Sequence, residues 1–106
     1  MSTLSTHVLD IELGVPAAGV RVELSCSGRS LASAHTDADG RISQLASLET
    51  GEYVLSFDVA AYFAAQGRPA PFLRRVSIAF QTHASDRHYH VPLLLSPFAC
   101  TSYRGS

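Results

Sequence analysis

Hydrophobic and polar residues alternate along most of the chain, which is the pattern of β-strands with one buried face. In residues 20–24, for example, the apolar side chains at every second position share one face. Turns rich in Gly, Pro and Asp separate the alternating segments, such as Gly14-Val15-Pro16-Ala17 and Asp37-Ala38-Asp39-Gly40. The predicted strands are residues 4–11, 20–24, 31–36, a strand starting at 41, 53–57, 72–81, 88–95 and 98–103. About eight short strands predict an all-β sandwich or barrel.

One segment departs from this alternation. Residues 59–66 follow Asp58, whose side chain can cap a helix, and they precede Gly67, which can end one. The segment is long enough for about two helical turns. The sequence therefore predicts one short helix among the strands.

The composition indicates a small domain with little charge. At 106 residues the chain is predicted to form a single domain, residues 1–106. Its apolar fraction is 46% and its charged fraction only 16%, which leaves few polar residues to cover the surface of a monomer. This shortage indicates that other subunits cover part of the surface. An unusually apolar monomer is the alternative that composition leaves open.

Charge and cysteine content exclude several classes of function. The net charge of −1 and the lack of a basic run argue against a nucleic-acid partner. No apolar run approaches the length of a membrane span, so no membrane association is predicted. The first residues lack a signal-peptide pattern, and Cys26 and Cys100 are too few for a disulfide framework. We expect a cytoplasmic protein whose cysteines pack as small apolar residues.

Strand alternation places several imidazoles on an outer face. In the predicted strand that carries His88 and His90, the intervening side chains form the core face and these two point the other way. His7 and Ser5 share the outer face of the first strand. Arg41 follows a tight turn at the start of a strand, where its side chain can reach the rim of a sheet. Because the outer face of the histidine strand is otherwise apolar, we expect it to be buried against another sheet.

Each of these residues also has a simpler interpretation. A histidine on a strand is more often a surface or packing residue than a catalytic one, and Arg41 alone would be an ordinary solvated side chain. The His-X-His spacing of His88 and His90 suits a metal, but no Asp, Glu or Cys stands beside it, so no metal is predicted. The Gly-X-Ser-X-Gly motif of a serine nucleophile does not occur.

Three parts of the chain together resemble the transthyretin-like family, and within it the 5-hydroxyisourate hydrolases. They are Leu4-Ser5-Thr6-His7-Val8-Leu9-Asp10 with Gly14-Val15-Pro16-Ala17, Thr36-Asp37-Ala38-Asp39-Gly40-Arg41, and His88-Tyr89-His90-Val91-Pro92-Leu93-Leu94-Leu95-Ser96-Pro97 with Tyr103-Arg104-Gly105-Ser106. The Tyr-Arg-Gly-Ser sequence is the most specific, because it separates the hydrolases from the hormone-carrying transthyretins. Cys100-Thr101-Ser102 departs from the family's usual sequence, a change that concerns local packing more than chemistry.

The resemblance implies a fold, an assembly and an activity. The fold would be an eight-stranded transthyretin-like sandwich of two sheets with one short helix, assembled as a homotetramer, a dimer of dimers with a channel between the dimers. The activity would be hydrolysis of 5-hydroxyisourate to 2-oxo-4-hydroxy-4-carboxy-5-ureidoimidazoline in urate degradation, without a cofactor. The implied catalytic residues are His7, Arg41 and His90. The implied substrate-binding residues are His88, Tyr103, Arg104 and Ser106, of which Arg104 and Ser106 could also orient His7. The alternative is a module that binds a hormone-type aromatic ligand without catalysis.

Overall fold

A computed structural model describes all 106 residues and contains nine β-strands and one α-helix. The strands are β1 (Ser2–Asp10), β2 (Val15–Pro16), β3 (Arg21–Cys26), β4 (Arg29–His35), β5 (Arg41–Leu48), β6 (Gly51–Phe57), β7 (Val76–Thr82), β8 (His88–Leu95) and β9 (Cys100–Ser102). The helix α1 (Val59–Ala65) lies between β6 and β7 in the chain. The alternating segments form strands because successive side chains point to opposite faces, so each segment can bury its apolar set. The predicted all-β architecture with one short helix is confirmed.

The strands form two sheets, and β1 is central to the first. β8 pairs with β1 in parallel, β5 and β2 pair antiparallel with the other edge of β1, and β9 extends the sheet beyond β8. The second sheet has the antiparallel order β4-β3-β6-β7. β1 is therefore flanked by β5 and β8, the two other strands that carry predicted catalytic residues.

The core contains 18 buried apolar residues. Its members on β8 are those that alternation predicts, namely Tyr89, Val91, Leu93 and Leu95. On the opposite face of the same strand, His88 is exposed and His90 is half-buried. Because a fully buried Leu or Val side chain contributes about 1.5–3 kcal/mol, this core fixes which face of β8 turns outward.

The helix begins where the sequence predicts. The carboxylate of Asp58 accepts a hydrogen bond of 3.1 Å from the backbone N–H of Ala61, which satisfies a free donor of the first turn. Gly67 follows the helix with a φ of 65°, a left-handed conformation that glycine adopts without strain. Tyr62 donates a hydrogen bond of 2.8 Å to Asp10, which ties the helix to the end of β1. No helix in the structure has the length and apolar character needed to span a membrane.

The predicted strand over residues 72–81 begins too early. β7 starts at Val76, because the residues before it bond to a loop and to the first turn of α1 instead of to β6. The N–H of Leu73 donates to the carbonyl of Pro97 at 3.3 Å, and the carbonyl of Arg74 accepts from Ala60 at 3.1 Å. Hydrophobicity alone does not show where these backbone groups find their partners.

The chain around the last strand also differs from prediction. Residues 98–103 contain only the short strand β9, because the N–H of Ser96 donates to the carbonyl of Ala99 at 2.9 Å and closes a turn ahead of it. Cys100 lies on this edge strand and is exposed, so the packing role predicted for it is wrong, whereas Cys26 is partly buried against the core. The predicted turn over residues 14–17 contains β2, which pairs with the end of β1.

Candidate active site

The three predicted catalytic residues lie on neighbouring strands, on the face turned away from the core. His7 of β1 is directly opposite Arg41 of β5. On the other side of β1, Ser5 is directly opposite His90 of β8. Adjacent strands are about 4.8 Å apart, so two imidazoles and a guanidinium share one small area of the sheet.

The turn before β5 places Arg41 beside His7. The carboxylate of Asp37 accepts a hydrogen bond of 2.9 Å from the N–H of Arg41. Gly40 has a φ of 74°, and a Cβ there would lie 2.4 Å from the carbonyl oxygen of Val8, so only glycine fits. The N–H of Val8 donates to the Gly40 carbonyl at 2.7 Å. The turn is thereby bound to β1, and Arg41 starts its strand next to His7.

His7 has one ring nitrogen occupied and one available. Its Nε2 lies 3.0 Å from the carbonyl oxygen of Asp39. A carbonyl oxygen can only accept, so Nε2 carries the hydrogen of this bond. Nδ1 is therefore the nitrogen at which His7 can exchange a proton.

His90 is held from two sides. Its Nδ1 lies 2.7 Å from the hydroxyl oxygen of Ser5. Its carbonyl accepts a hydrogen bond of 2.7 Å from the N–H of Gly105, whose backbone packs so closely against the ring that an added Cβ would be 2.6 Å from Cδ2. Nε2 of His90 makes no hydrogen bond within the chain and is the nitrogen available to a substrate or water.

The surroundings of His90 favour its neutral form. Burial lowers the pKa of His90 below its ordinary value, and the nearby positive charges of Arg41, His7 and His88 lower it further. A neutral imidazole can accept a proton at its free nitrogen. The site therefore contains a base that is ready at neutral pH.

His88 is joined to His90 through a serine that the sequence analysis did not identify as functional. Nε2 of His88 lies 2.9 Å from the hydroxyl of Ser5, and Nδ1 lies 2.5 Å from the hydroxyl of Thr3. Ser5 is only 8% exposed. Alternation does place Ser5 on the face of His7, but only the pairing of β1 with β8 shows that it lies between two imidazoles.

Arg104 is not directed at His7 in the single chain. Its guanidinium lies over the ring of Tyr89 at 4.4 Å from the centroid and 3.6 Å from the carboxylate of Asp86. It also donates to the carbonyl of His88 at 3.2 Å. Gly105, the next residue, is the part of this segment that the fold brings against His90.

Tyr103 and Ser106 are both exposed. Tyr103 and Arg104 border a cavity of about 340 Å³ whose other walls include Phe80 of β7 and Tyr89 of β8. Because Tyr89 belongs to the core face of β8, this cavity lies on the opposite side of the sheet from the His7–His90 face. Ser106 forms no hydrogen bond within the chain. The substrate-binding roles of these residues stay predictions.

The histidine pair of β8 is engaged by hydroxyl groups. No group of three or more His, Cys, Asp or Glu side chains is placed to hold a metal ion. Nδ1 of His90 and both ring nitrogens of His88 face Ser or Thr oxygens, as described above. The chemistry available to this face is therefore proton transfer by imidazoles and charge stabilisation by a guanidinium.

Comparison with known proteins identifies the family. Residues 4–105 match the HIUase/Transthyretin family. The chain belongs to this family. A protein of Caulobacter vibrioides named 5-hydroxyisourate hydrolase is 45% identical, with 100% of each chain covered. A Deinococcus radiodurans protein of the same name is 42% identical, with 97% of this chain and 95% of that protein covered.

Two solved structures show how widely the HIUase/Transthyretin fold is used. The 5-hydroxyisourate hydrolase of Klebsiella pneumoniae has a TM-score of 0.92 and 45% identity, with 100% of each chain covered. Sea bream transthyretin in complex with thyroxine has a TM-score of 0.88 and 33% identity, with 97% of this chain and 94% of that chain covered. Since a hydrolase and a thyroxine-binding protein share the fold, function in this family depends on the side chains of the site.

Proposed function

We propose that the protein hydrolyses 5-hydroxyisourate to 2-oxo-4-hydroxy-4-carboxy-5-ureidoimidazoline, a step of urate degradation. The observation that carries this proposal is the placement of His7, Arg41 and His90 together on one face of three adjacent strands. The names of relatives that are 45% and 42% identical over nearly the whole chain support it. Such a site can open a cyclic amide without a cofactor.

Hydrolysis of a ring amide requires a base for the attacking water. Burial lowers the pKa of His90, so the ring is neutral near neutral pH, and its Nε2, which makes no hydrogen bond within the chain, is a free base when Nδ1 carries the hydrogen. His90 would accept a proton from the attacking water while the water oxygen forms a bond to the carbonyl carbon of the substrate ring. Positioned proton transfer of this kind accelerates reactions by about 10²–10⁴-fold.

The other two side chains fit the remaining requirements. Arg41 carries a permanent positive charge and would stabilise the negative charge that develops on the carbonyl oxygen. The Nε2–H of His7 is held by the carbonyl of Asp39, which leaves Nδ1 to bind a proton from solvent and pass it to the departing ring nitrogen. In water and substrate together, one O–H bond and the ring C–N bond break, and one C–O bond and one N–H bond form. The proton that His90 takes from water and returns to solvent balances the proton that His7 takes from solvent and delivers.

We infer that His88, Tyr103, Arg104 and Ser106 bind the substrate at the border of this face, with the side chains of Tyr103 and Arg104 turning toward it from the cavity that they line in the single chain. Docking of Gly105 against His90 supports the inference, because it holds the segment that contains three of them next to the base. Removal of residues 104–106 should lower kcat/KM while urea unfolding stays cooperative. Full activity of the truncated protein would exclude a role for Arg104 and Ser106.

A homotetramer, formed as a dimer of dimers around a channel, is the assembly that we propose. The outer edges of β7 and β9 have no strand partner, and such edges invite pairing with a second copy. Large apolar side chains are exposed on the turn after β1, on β2 and near β9, namely Ile11, Leu13, Val15, Phe98 and Tyr103. Light scattering after gel filtration should give four times the chain mass of 11.4 kDa. The mass of one chain would refute the assembly.

The second candidate is a binding module without catalysis, since sea bream transthyretin was solved with thyroxine. A pocket for an apolar aromatic ligand does not require two imidazoles and a guanidinium on one face, and these residues favour the hydrolase. Ultraviolet absorbance of freshly prepared 5-hydroxyisourate distinguishes the two. Catalytic amounts of the protein should accelerate its decay, and a His7→Asn/His90→Asn double variant should not. A decay unchanged by the wild-type protein would exclude the hydrolase.

A further inference from the structure

A continuous chain of hydrogen bonds runs along the outer face from Thr3 to His90. The hydroxyl of Thr3 is 2.5 Å from Nδ1 of His88, and Nε2 of His88 is 2.9 Å from the hydroxyl of Ser5. The same hydroxyl is 2.7 Å from Nδ1 of His90. Hydroxyls and imidazoles alternate along it, and each of these groups can both donate and accept a hydrogen bond when the imidazoles are neutral.

The hydrogen bonds along this path can be oriented in two ways, which differ in the nitrogen of His90 that carries hydrogen. In the first, Thr3 donates to His88, His88 donates to Ser5, and Ser5 donates to Nδ1 of His90, so Nε2 of a neutral His90 carries hydrogen. In the second, all three bonds are reversed, and Nε2 is a free base. Ser5 has a single hydroxyl hydrogen and therefore links the states of the two rings.

We propose that Ser5 is a positioning residue that fixes the His90 ring with Nε2 toward the substrate and, together with His88 and Thr3, provides a path by which His90 exchanges its proton with solvent. This inference rests on the proposed hydrolase function. It assigns roles to Ser5 and Thr3, and it makes His88 part of the proton path as well as of the substrate border.

Every proton that one group of this path releases is taken up by the next group. When Nε2 of His90 takes a proton from water, Nδ1 releases its own to the Ser5 oxygen, and the Ser5 hydroxyl hydrogen passes to Nε2 of His88. His88 then releases the hydrogen of Nδ1 toward Thr3 and solvent, and His88 is exposed. His90 thus changes from base to neutral acid without becoming an imidazolium.

The surroundings of His90 support a path that avoids this charge. The titratable or charged groups that act on His90 are Arg41 from β5, His7 from β1 and His88 from its own strand. All three disfavour a positive charge on the His90 ring. No carboxylate bonds to its Nδ1, in contrast to the orienting carboxylate of a serine-protease histidine. Ser5 is therefore the group that sets which nitrogen of His90 is protonated.

Substitution of Ser5 and His88 tests the proposal. The variants are Ser5→Ala, His88→Gln and the double variant, with Ser56→Ala as a matched control on the outer face of the other sheet. Nuclear magnetic resonance of ¹⁵N-histidine protein reports the protonated nitrogen of His90, and thermal unfolding verifies the fold. Turnover is measured with 5-hydroxyisourate across pH, with and without added free imidazole as an external proton carrier.

We expect Ser5→Ala to change the ratio of Nδ1–H to Nε2–H in His90 and to lower turnover by about tenfold or more. At saturating substrate, where the substrate contact of His88 no longer limits the rate, kcat of the double variant should be no lower than that of Ser5→Ala, because residues of one path are not additive. Free imidazole should raise the turnover of His88→Gln but not of wild type. Ser56→Ala should behave as wild type.

Several results would overturn the inference. An unchanged ratio of His90 protonation states in Ser5→Ala removes the positioning role, and losses that multiply in the double variant show that Ser5 and His88 do not share a path. Failure of imidazole to restore His88→Gln removes the proton exchange. The resonance measurement does not need substrate, so it tests Ser5 even if wild-type protein proves inactive on 5-hydroxyisourate, which would instead refute the proposed function.

Discussion

Replacement of Gly105 by Ala should disable the site and leave the fold intact. A Cβ at this position would lie 2.6 Å from Cδ2 and 3.2 Å from Cγ of His90. Gly105 is not among the glycines with positive φ, so the effect is a clash and not a strained backbone. Restoring a normal carbon–carbon separation of about 3.5 Å requires the ring or the segment to move by about 1 Å.

The size of the effect follows from this displacement. A misplacement of about 1 Å in a catalytic group can cost about a hundredfold in rate. The stability cost is small by comparison, because only the hydrogen bond from Gly105 to the His90 carbonyl is at risk, worth about 1 kcal/mol. That loss corresponds to a decrease of at most about 4–8 °C in Tm for a domain of this size.

The assay compares kcat/KM for 5-hydroxyisourate with Tm for the same preparations. Gly51→Ala is the matched control, since its added Cβ would be 3.8 Å from Cε2 of Tyr53, an ordinary contact. We expect Gly105→Ala to lose most of its activity and Gly51→Ala to keep it. Activity of Gly105→Ala within twofold of wild type would show that the contact with His90 has no catalytic consequence.

Three further predictions follow. Replacing either His7 or His90 by Asn should lower turnover of 5-hydroxyisourate by about a hundredfold or more, with the gel-filtration mass unchanged. Near-normal rates in both variants would refute the catalytic roles of these residues. Arg41→Gln should raise the pKa of His90, followed by nuclear magnetic resonance titration, because burial still lowers it but one positive charge is gone; an unchanged titration would contradict this. Asp10→Asn should lower the free energy of unfolding in urea by about 2 kcal/mol, since the charged hydrogen bonds from Arg68 to the buried Asp10 are weakened while Arg68 keeps its ion pair with Glu12. Burial alone would raise the pKa of Asp10, but its hydrogen bonds, chiefly from Arg68, outweigh burial and lower it. Its contribution is therefore present above the unfolded value of about 3.9 and lost as pH falls through the folded value, and Asp10→Asn should lack this acid dependence.

The regular parts of the fold were predictable because they depend on local pattern. β8 coincides with the predicted residues 88–95, since every second side chain there is apolar and must face the core. Asp58 and Gly67 define the helix through local backbone hydrogen bonding and conformation. Predictions were wrong where the backbone partner is remote, as at Leu73, which bonds to Pro97 instead of to a neighbouring strand.

The alternation of side chains along a strand was enough to place Ser5, His7, His88 and His90 on outward faces, because alternation depends only on the geometry of a single strand. It could not show that Ser5 lies between two imidazoles. That arrangement requires the parallel pairing of β1 with β8, and a shift of one residue in this register would remove it. The direction of Arg104 was likewise decided by the ring of Tyr89 and the carboxylate of Asp86, which no local pattern identifies as its partners. The sequence by itself determined which side chains could carry chemistry, and the tertiary structure decided which of them meet, because strand pairing joins residues more than 80 positions apart.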